Sequence, residues 1–181
     1  IVEKKADEPM LDLDIFKSKL FSISIFCSFL SFVAIFCLLM VNPFYLQYTM
    51  KYTPAFTGLL MMFYSVILTL AALFSGVLSD KIGSELLILI GLITMGIGFF
   101  LMTILSISTP ISVFLVLVAI IGFGAGLFQS PNNSLVMSTV SKDKLGIAGS
   151  VNALVRNIGM SVGIAVATIL LYNRMSHKAG Y

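Results

Sequence analysis

The positions of the charged residues divide this chain into long uncharged stretches, and these restrict its possible folds more than any other feature. No charged residue occurs in 20–50, a run of 31 residues, or in 52–79, a run of 28. A third uncharged run, 86–141, contains 56 residues. A helix needs about 20 apolar residues to cross the hydrocarbon core of a bilayer. The third run is therefore long enough for two helices, which we expect to be separated by a turn at Pro110.

The composition also favours a membrane location for these runs. Hydrophobic residues make up 59% of the chain and charged residues only 10%, whereas soluble domains contain about 25% charged residues. A soluble core of this size cannot bury so much apolar surface, and lipid requires helices because it offers the backbone no hydrogen-bond partners. We therefore predict an all-α membrane protein with five transmembrane helices, at about 20–50, 56–79, 86–106, 110–140 and 146–172.

The segments outside these helices are short and polar. Residues 1–19 are predicted to form a cytoplasmic juxtamembrane linker, residues 20–173 the five-helix transmembrane region, and residues 174–181 the start of an extracellular loop. The orientation follows from the positive-inside rule, because one set of connecting segments holds seven lysines and the opposite set holds three basic residues. We expect a multi-pass protein of the cell (plasma) membrane, with the lipid bilayer as its first partner.

Several other classes of function lack the residues that they need. The basic residues flank apolar runs and do not form the stripe typical of nucleic-acid binding, so no nucleic-acid partner is predicted. The single histidine, His177, lies in the polar tail, so neither a metal site nor a cofactor is indicated. A membrane enzyme needs a nucleophile, a metal cluster or paired acids at membrane depth, and the sequence shows none of these. We therefore predict that the chain is not an enzyme.

The fourth predicted helix contains an amide-rich stretch, GFGAGLFQSPNNS. At 100° per residue, Gln129, Asn132 and Asn133 fall on one side of the helix together with Gly122 and Gly126. Amides that face lipid would be unsatisfied, so this side is expected to point into the bundle or into a water-filled cavity. The two glycines are expected to allow close helix packing. Two roles remain open for the amides, namely hydrogen bonds between helices and contacts with a solute in the cavity.

The fifth predicted helix carries the only charge at membrane depth, Arg156. It shares a face with Asn152, Gly159 and Gly163, and such a face is expected to pack closely or to line a cavity. In one interpretation Arg156 ties helices together by donating to carbonyls or amides. In a second it borders the cavity and keeps a carboxylate from outside this chain ionised. In a third the helix starts later and Arg156 reaches the membrane interface. Gln47, near the end of the first helix, is a further cavity candidate.

The second predicted helix ends in the stretch GVLSDKIG. Gly76 lies at its start, and Gly83 suits the point where the chain reverses between two helices. Asp80 and Lys81 lie at the membrane interface, where an acid can attract the positive N-terminus of a neighbouring helix. A solvated loop without a function is the alternative.

This stretch and three others resemble the major facilitator superfamily. GVLSDKIG is similar to the superfamily signature Gly-x-x-x-Asp-(Arg/Lys)-x-Gly, with Ser84 and Glu85 where two basic residues usually follow. The stretches PFYLQYTMKYTPAFTGLLMM, LFQSPNNS and LVRNIGMSVGIA resemble segments of its fourteen-helix drug:proton antiporters. The resemblance covers about residues 9–173. It implies helices nine to thirteen of fourteen in a C-terminal bundle, with the N-terminal half of the transporter missing.

The resemblance implies an exporter that works by alternating access and exchanges small amphipathic drugs, cationic ones among them, for protons. It further implies that Gly76, Asp80, Lys81 and Gly83 form a conformational latch with the other half. A proton carrier needs a carboxylate at membrane depth, whereas every Asp and Glu in this chain lies at or outside an interface. The acid is therefore expected in the missing half, and the chain alone is expected to be inactive. Two alternatives are a superfamily transporter of a specific nutrient or metabolite and a non-transporting membrane subunit.

Overall fold

The computed structural model describes residues 13–106 and 109–179. By length and composition, five of the helices in these ranges are suited to cross a membrane, so the predicted all-α fold with five transmembrane helices is confirmed. Most of the predicted linker, residues 1–12, and the last two residues of the predicted tail lie outside the described residues. The five helices are α1 Lys19–Phe44, α2 Pro54–Ile82, α3 Ser84–Met102, α4 Ile111–Ser138 and α5 Leu145–Ala179.

α1 begins at a serine cap and changes its geometry after a proline. The Ser18 hydroxyl accepts a hydrogen bond from the backbone N–H of Phe21 at 3.4 Å, which satisfies one of the free donors of the first turn. Pro43 has no N–H to continue the helical ladder, and the chain goes on as a π-helix, Tyr45–Thr49. The single helix expected over 20–50 is thus divided near its end.

Only one residue separates α2 from α3. Gly83 has a φ of 92°, a conformation that glycine adopts without a Cβ clash. Asp80 and Lys81 therefore belong to the last turn of α2 rather than to a loop. The hydroxyls of Ser79 and Ser84 lie 2.8 Å apart across this turn and hold the two helix ends together.

α5 continues beyond the point at which the sequence suggested a loop. Its last residue is Ala179, so residues 174–179 are helical. No glycine or proline occurs between Gly163 and Ala179, and a helix longer than the membrane is thick can project from it. The helix therefore has no local reason to end at the membrane surface.

α4 lies at the centre of the bundle. It packs along its length against α2 and α3 and more briefly against α1, while α1 packs along α5. Successive helices run in opposite directions. We call the end at which α1, α3 and α5 begin the first end, and the end at which α2 and α4 begin the second end. Two apolar clusters fill the interior: one, around Phe114 and Ile121, joins α1, α2, α3 and α4, and the other, around Phe21 and Val136, joins α1, α4 and α5 near the first end.

The outer surface of the bundle is strongly apolar. Phe74 on α2 and Phe100 on α3 are among many large apolar side chains that are exposed. A continuous apolar surface of this kind is unfavourable in water and is the surface that lipid requires. We call the side of the bundle where α4 meets α5 the open side, because the Asn133 amide and the Arg156 guanidinium are exposed there.

Candidate functional site

α4 and α5 are joined by a hydrogen bond between two asparagines. The side-chain amide of Asn152 donates to the side-chain carbonyl of Asn133 at 2.8 Å. Asn133 is exposed and Asn152 is half-buried, so the bond lies on the open side of the bundle rather than in its core. Each side chain keeps further donor or acceptor capacity, because a primary amide has two donors and two acceptor lone pairs.

Two further polar residues lie one turn from this bond. Gln129 precedes Asn133 by four residues on α4, and Arg156 follows Asn152 by four residues on α5. Because the two helices run in opposite directions, both residues lie about 6 Å from the bond toward the second end. We call these four residues the polar ladder. Of the six cavity candidates that the sequence suggested, the structure joins Asn133 and Asn152 directly and places Gln129 and Arg156 one turn away along their own helices.

Arg156 lies near the middle of its helix and of the membrane. Twelve residues separate Lys144 from Arg156, which corresponds to about 18 Å of helix. A further eighteen residues lead to Arg174, or about 27 Å. A bilayer with its headgroups measures about 40–45 Å, so a helix with charges at both ends places Arg156 close to the midplane.

The Arg156 side chain is exposed at the edge of the contact between α5 and α1. Its guanidinium carbon lies 6.0 Å from the centroid of the Phe32 ring on α1, within the range of a cation–π contact. Among the described residues, we find neither a carboxylate paired with Arg156 nor a hydrogen bond from it to a carbonyl or amide. The interpretation of Arg156 as a tie between helices therefore lacks its bonds in the described part of the chain, whereas a position bordering a cavity fits the exposure.

Asn132 is separated from its neighbour Asn133 and from the polar ladder. Its side chain is only 1% exposed, and it donates to the Ser28 hydroxyl at 2.7 Å and to the Ser24 carbonyl at 3.4 Å. Consecutive residues on a helix point 100° apart, so one asparagine faces α1 while the next faces the open side. Asn132 is thus a packing residue between α1 and α4, not part of the open face.

Gln47 is also distant from the polar ladder. It is half-buried in the π-helix at the second end. Fifteen residues separate it from Phe32, the α1 residue that contacts Arg156, and this corresponds to about 22 Å along the helix. The structure therefore does not unite Gln47 with the other cavity candidates.

The predicted packing glycines lie where two backbones approach closely. A Cβ added at Gly126 would lie 2.5 Å from the Leu68 carbonyl oxygen of α2, and one at Gly163 would lie 2.5 Å from the Val33 carbonyl oxygen of α1. A Cβ added at Gly122 would lie 3.0 Å from a backbone carbonyl oxygen of α2, and one at Gly159 would lie 3.0 Å from a backbone carbonyl oxygen of α1. The α5 glycines are turned toward α1, and Arg156 lies at the edge of that face.

The signature residues lie where α2 finishes, at the first end of the bundle. Asp80 and Lys81 are exposed in its last turn, Gly83 follows as the C-cap, and Gly76 lies one turn before Asp80, near Ser130 of α4. This exposed position leaves the Asp80 carboxylate accessible to a group from outside the chain. The structure does not bring the signature residues to the polar ladder.

The structure adds residues that the sequence did not single out. Phe32 provides an aromatic face beside Arg156, and Asn157 is exposed on α5 next to Arg156. Ser24 and Ser28 receive the Asn132 amide. The sequence contained a pattern that could have identified these serines, because Ser24, Ser28 and Ser31 follow the i, i+4, i+7 spacing of a single helix face. Phe32 had none, because the chain contains fifteen phenylalanines.

Comparison with known proteins places the sequence of this chain in a family. The sequence matches the Major Facilitator Superfamily over residues 3–173, nearly its whole length. The chain belongs to the major facilitator superfamily. Its five helices form part of a bundle of that superfamily, in agreement with the resemblance of GVLSDKIG and the three other stretches.

Several relatives in the superfamily align along most of the chain. The riboflavin transporter RibZ of Clostridioides difficile is 32% identical over 190 residues, which cover 99% of this chain and 41% of that protein. The multidrug transporter protein MdtP of Bacillus subtilis is 30% identical, with 92% of this chain and 31% of MdtP covered. The multidrug resistance protein Stp of Mycobacterium tuberculosis is 29% identical, with 91% and 30% covered. The chain thus spans about two fifths or less of the length of these superfamily relatives.

Proposed function

We propose that this chain is the later part of a proton-coupled multidrug efflux transporter that works by alternating access. In such a transporter two helical bundles rock around a binding site near the middle of the membrane. The polar ladder lines this site, and the bundle that completes it comes from the rest of the transporter. The substrates are small amphipathic aromatic compounds.

The position of the polar ladder is the observation that carries the proposal. Amides and a guanidinium at membrane depth are costly against lipid and normally face protein or a water-filled cavity. Here Asn133 and Arg156 are exposed on the open side of their own bundle. A second bundle on that side encloses them, and the space between the bundles is where an alternating-access transporter binds its substrate. The similarity to MdtP, a multidrug transporter, and to Stp, a multidrug resistance protein, supports multidrug compounds as that substrate.

Proton coupling requires a group that this chain does not supply. In the topology predicted from the sequence, all its acids lie at or outside the membrane interfaces, whereas a proton carrier must be a carboxylate within the membrane. We assign the carrier to the rest of the transporter. The signature residues Gly76, Asp80, Lys81 and Gly83 serve as a latch, in which the Asp80 carboxylate meets the positive N-terminus of a helix in the other bundle.

Reconstitution tests the proposal directly. The complete transporter in proteoliposomes is expected to move Hoechst 33342 against its gradient when a pH gradient is imposed, and to acidify the compartment that the drug leaves, as reported by trapped pyranine. The 181-residue chain alone, reconstituted at the same density, is expected to show neither flux. Dye movement by the complete protein without proton movement would reject the coupling, and flux through the chain alone would reject the assignment of the carrier.

The proposed orientation places the first end in the cytoplasm. We expect Lys51→Cys to react with a membrane-impermeant maleimide in intact cells, because Lys51 follows the π-helix at the second end. Lys142→Cys is expected to react only after permeabilisation, because it lies at the first end. Both variants are made with Cys27 and Cys37 replaced by serine, which removes the two native thiols of this chain, and each is compared with the same background without the introduced cysteine. The reverse labelling pattern would contradict the proposed orientation and place the first end outside the cell.

A second candidate function is transport of one specific metabolite, such as riboflavin. The Asn133–Asn152 pair favours this candidate, because two adjacent amides with free donors and acceptors suit the imide edge of a flavin. The similarity to RibZ over 99% of this chain points the same way. Uptake or efflux of radiolabelled riboflavin that chemically unrelated drugs fail to compete would favour a dedicated carrier, whereas mutual competition would favour multidrug transport.

A further inference from the structure

We propose that the polar ladder selects substrates by charge, preferring neutral or anionic planar aromatic compounds and disfavouring permanent cations. This inference rests on the proposed function and narrows its substrate class. It starts from one cation and three amides: Asn133 and Asn152 are hydrogen-bonded between α4 and α5, and Gln129 and Arg156 each lie one turn from that bond on their own helix.

The positive charge of Arg156 is permanent. A guanidinium is not deprotonated in proteins, and no acid in the described part of the chain pairs with it. A cationic solute placed about 6 Å from this group, at an effective dielectric constant of about 20, is disfavoured roughly a hundredfold relative to a neutral one. An anion at the same distance is favoured by a similar factor. The charge of Arg156 therefore separates compounds that have the same shape.

The groups around Arg156 favour flat solutes with acceptor oxygens. The planar guanidinium lies over the face of Phe32, and such a pair forms one wall against which an aromatic ring can stack. The half-buried Gln129 and the exposed Asn133 present amides on the same open side. A ring system with carbonyl or carboxylate oxygens at its edge can stack on the wall and accept hydrogen bonds from these amides and from the guanidinium fork.

The experiment compares two dyes that share a xanthene ring system and differ in charge. Fluorescein is an anion and rhodamine 123 is a cation at pH 7.5. Equilibrium binding of each dye is measured to the purified complete transporter in detergent, together with neutral riboflavin. We expect fluorescein and riboflavin to bind at least about tenfold more tightly than rhodamine 123, because water and salt around the exposed guanidinium screen the roughly hundredfold difference. Equal or tighter binding of rhodamine 123 by the unmodified protein would overturn the proposal without any variant.

Three variants test whether Arg156 is the source of the preference. Arg156→Gln keeps a planar amide but removes the charge, and it is expected to bring the ratio of the two dye affinities close to one. Arg156→Lys keeps the charge but loses the fork, so the preference for the anion is expected to remain while both affinities fall. Arg174→Gln is the control, because Arg174 is exposed near the second end, about 27 Å from Arg156 along α5, and its ratio is expected to match the unmodified protein. An unchanged ratio in Arg156→Gln overturns the charge assignment.

This experiment separates the two proposals. If the complete transporter carries drugs but the dye ratio is near one, the proposed function stands and the charge selectivity is rejected. If the dyes bind with the expected ratio but no compound crosses the proteoliposome membrane, the selectivity stands as a property of the binding site and the transport function is rejected. Absence of binding by fluorescein, riboflavin and rhodamine 123 alike overturns the selectivity proposal.

Discussion

Drug efflux by the complete transporter is expected to fall at least about tenfold when Arg156 is replaced by alanine. The side chain is exposed on the open side of the bundle and provides the only positive charge of the polar ladder. Truncation removes the guanidinium donors and one wall of the proposed site, and loss of charge-assisted hydrogen bonds costs about 1.5–3 kcal/mol each. The initial rate of dye efflux from preloaded cells or proteoliposomes, normalised to the amount of inserted protein, measures the effect.

Arg174→Ala is the matched control for this substitution. It removes the same side chain from the same helix, but from a position near the second end, and its efflux is expected to equal that of the unmodified protein. Insertion of both variants is compared by surface labelling. Efflux that persists unchanged in Arg156→Ala at equal insertion would show that the polar ladder does not line the transport path.

Alanine at Gly126 or Gly163 is expected to cause the largest loss of stability among single-methyl changes in this chain. The added Cβ would lie 2.5 Å from a carbonyl oxygen of the facing helix at either position, and backbone atoms cannot rotate out of the way as a side chain can. Inserting atoms into a packed interface typically costs about 1–3 kcal/mol. A lower thermal denaturation temperature of the detergent-solubilised complete transporter, followed by size-exclusion chromatography, reports this loss.

Gly96→Ala on α3 is the comparison for the glycine substitutions. A Cβ at Gly96 meets nothing within 4 Å, and alanine is about 1 kcal/mol more favourable than glycine in a helix interior. The same chemical change is therefore expected to leave the denaturation temperature unchanged or to raise it. If Gly126→Ala and Gly96→Ala behave alike, the close contact between α2 and α4 is not a determinant of stability.

The number of helices could be predicted from the sequence because it depends on local properties. Charges end the apolar runs, and each run has to satisfy its own backbone in lipid. The ends of the helices were harder to predict. Gly83 alone separates α2 from α3, since polar residues such as Asp80 and Lys81 can remain helical at a hydrated interface. The π-helix after Pro43 packs with Leu46 in the core and Tyr45 against Phe114 of α4, contacts that the pattern of a single helix does not contain.

The candidate site was predictable only in part, because helix periodicity gives the direction of a side chain and not its partner. The positions of Asn152 and Arg156 on one side of α5 followed from the spacing. The separation of Asn132 from Asn133 did not, since it depends on the serines of α1 facing α4. The sequence likewise predicted close packing at Gly159 and Gly163, but not that α1 is the helix against which they pack.

The glycine contacts between α1 and α5 also have a mechanical consequence. Backbone lies close to backbone at Gly159 and Gly163, with Phe29, Phe32 and Phe36 of α1 packed around these contacts, so a displacement of α5 is transmitted directly to the backbone of α1. We therefore expect α1 and α5 to translate as one stiff rod when a solute pushes on Arg156. The Asn132 amide, held by Ser28 on that rod, would then pull on α4 just below Pro131, where proline has already removed a backbone hydrogen bond and lowered the resistance to bending. A force applied at mid-membrane would in this way be converted into a change in the curvature of the central helix.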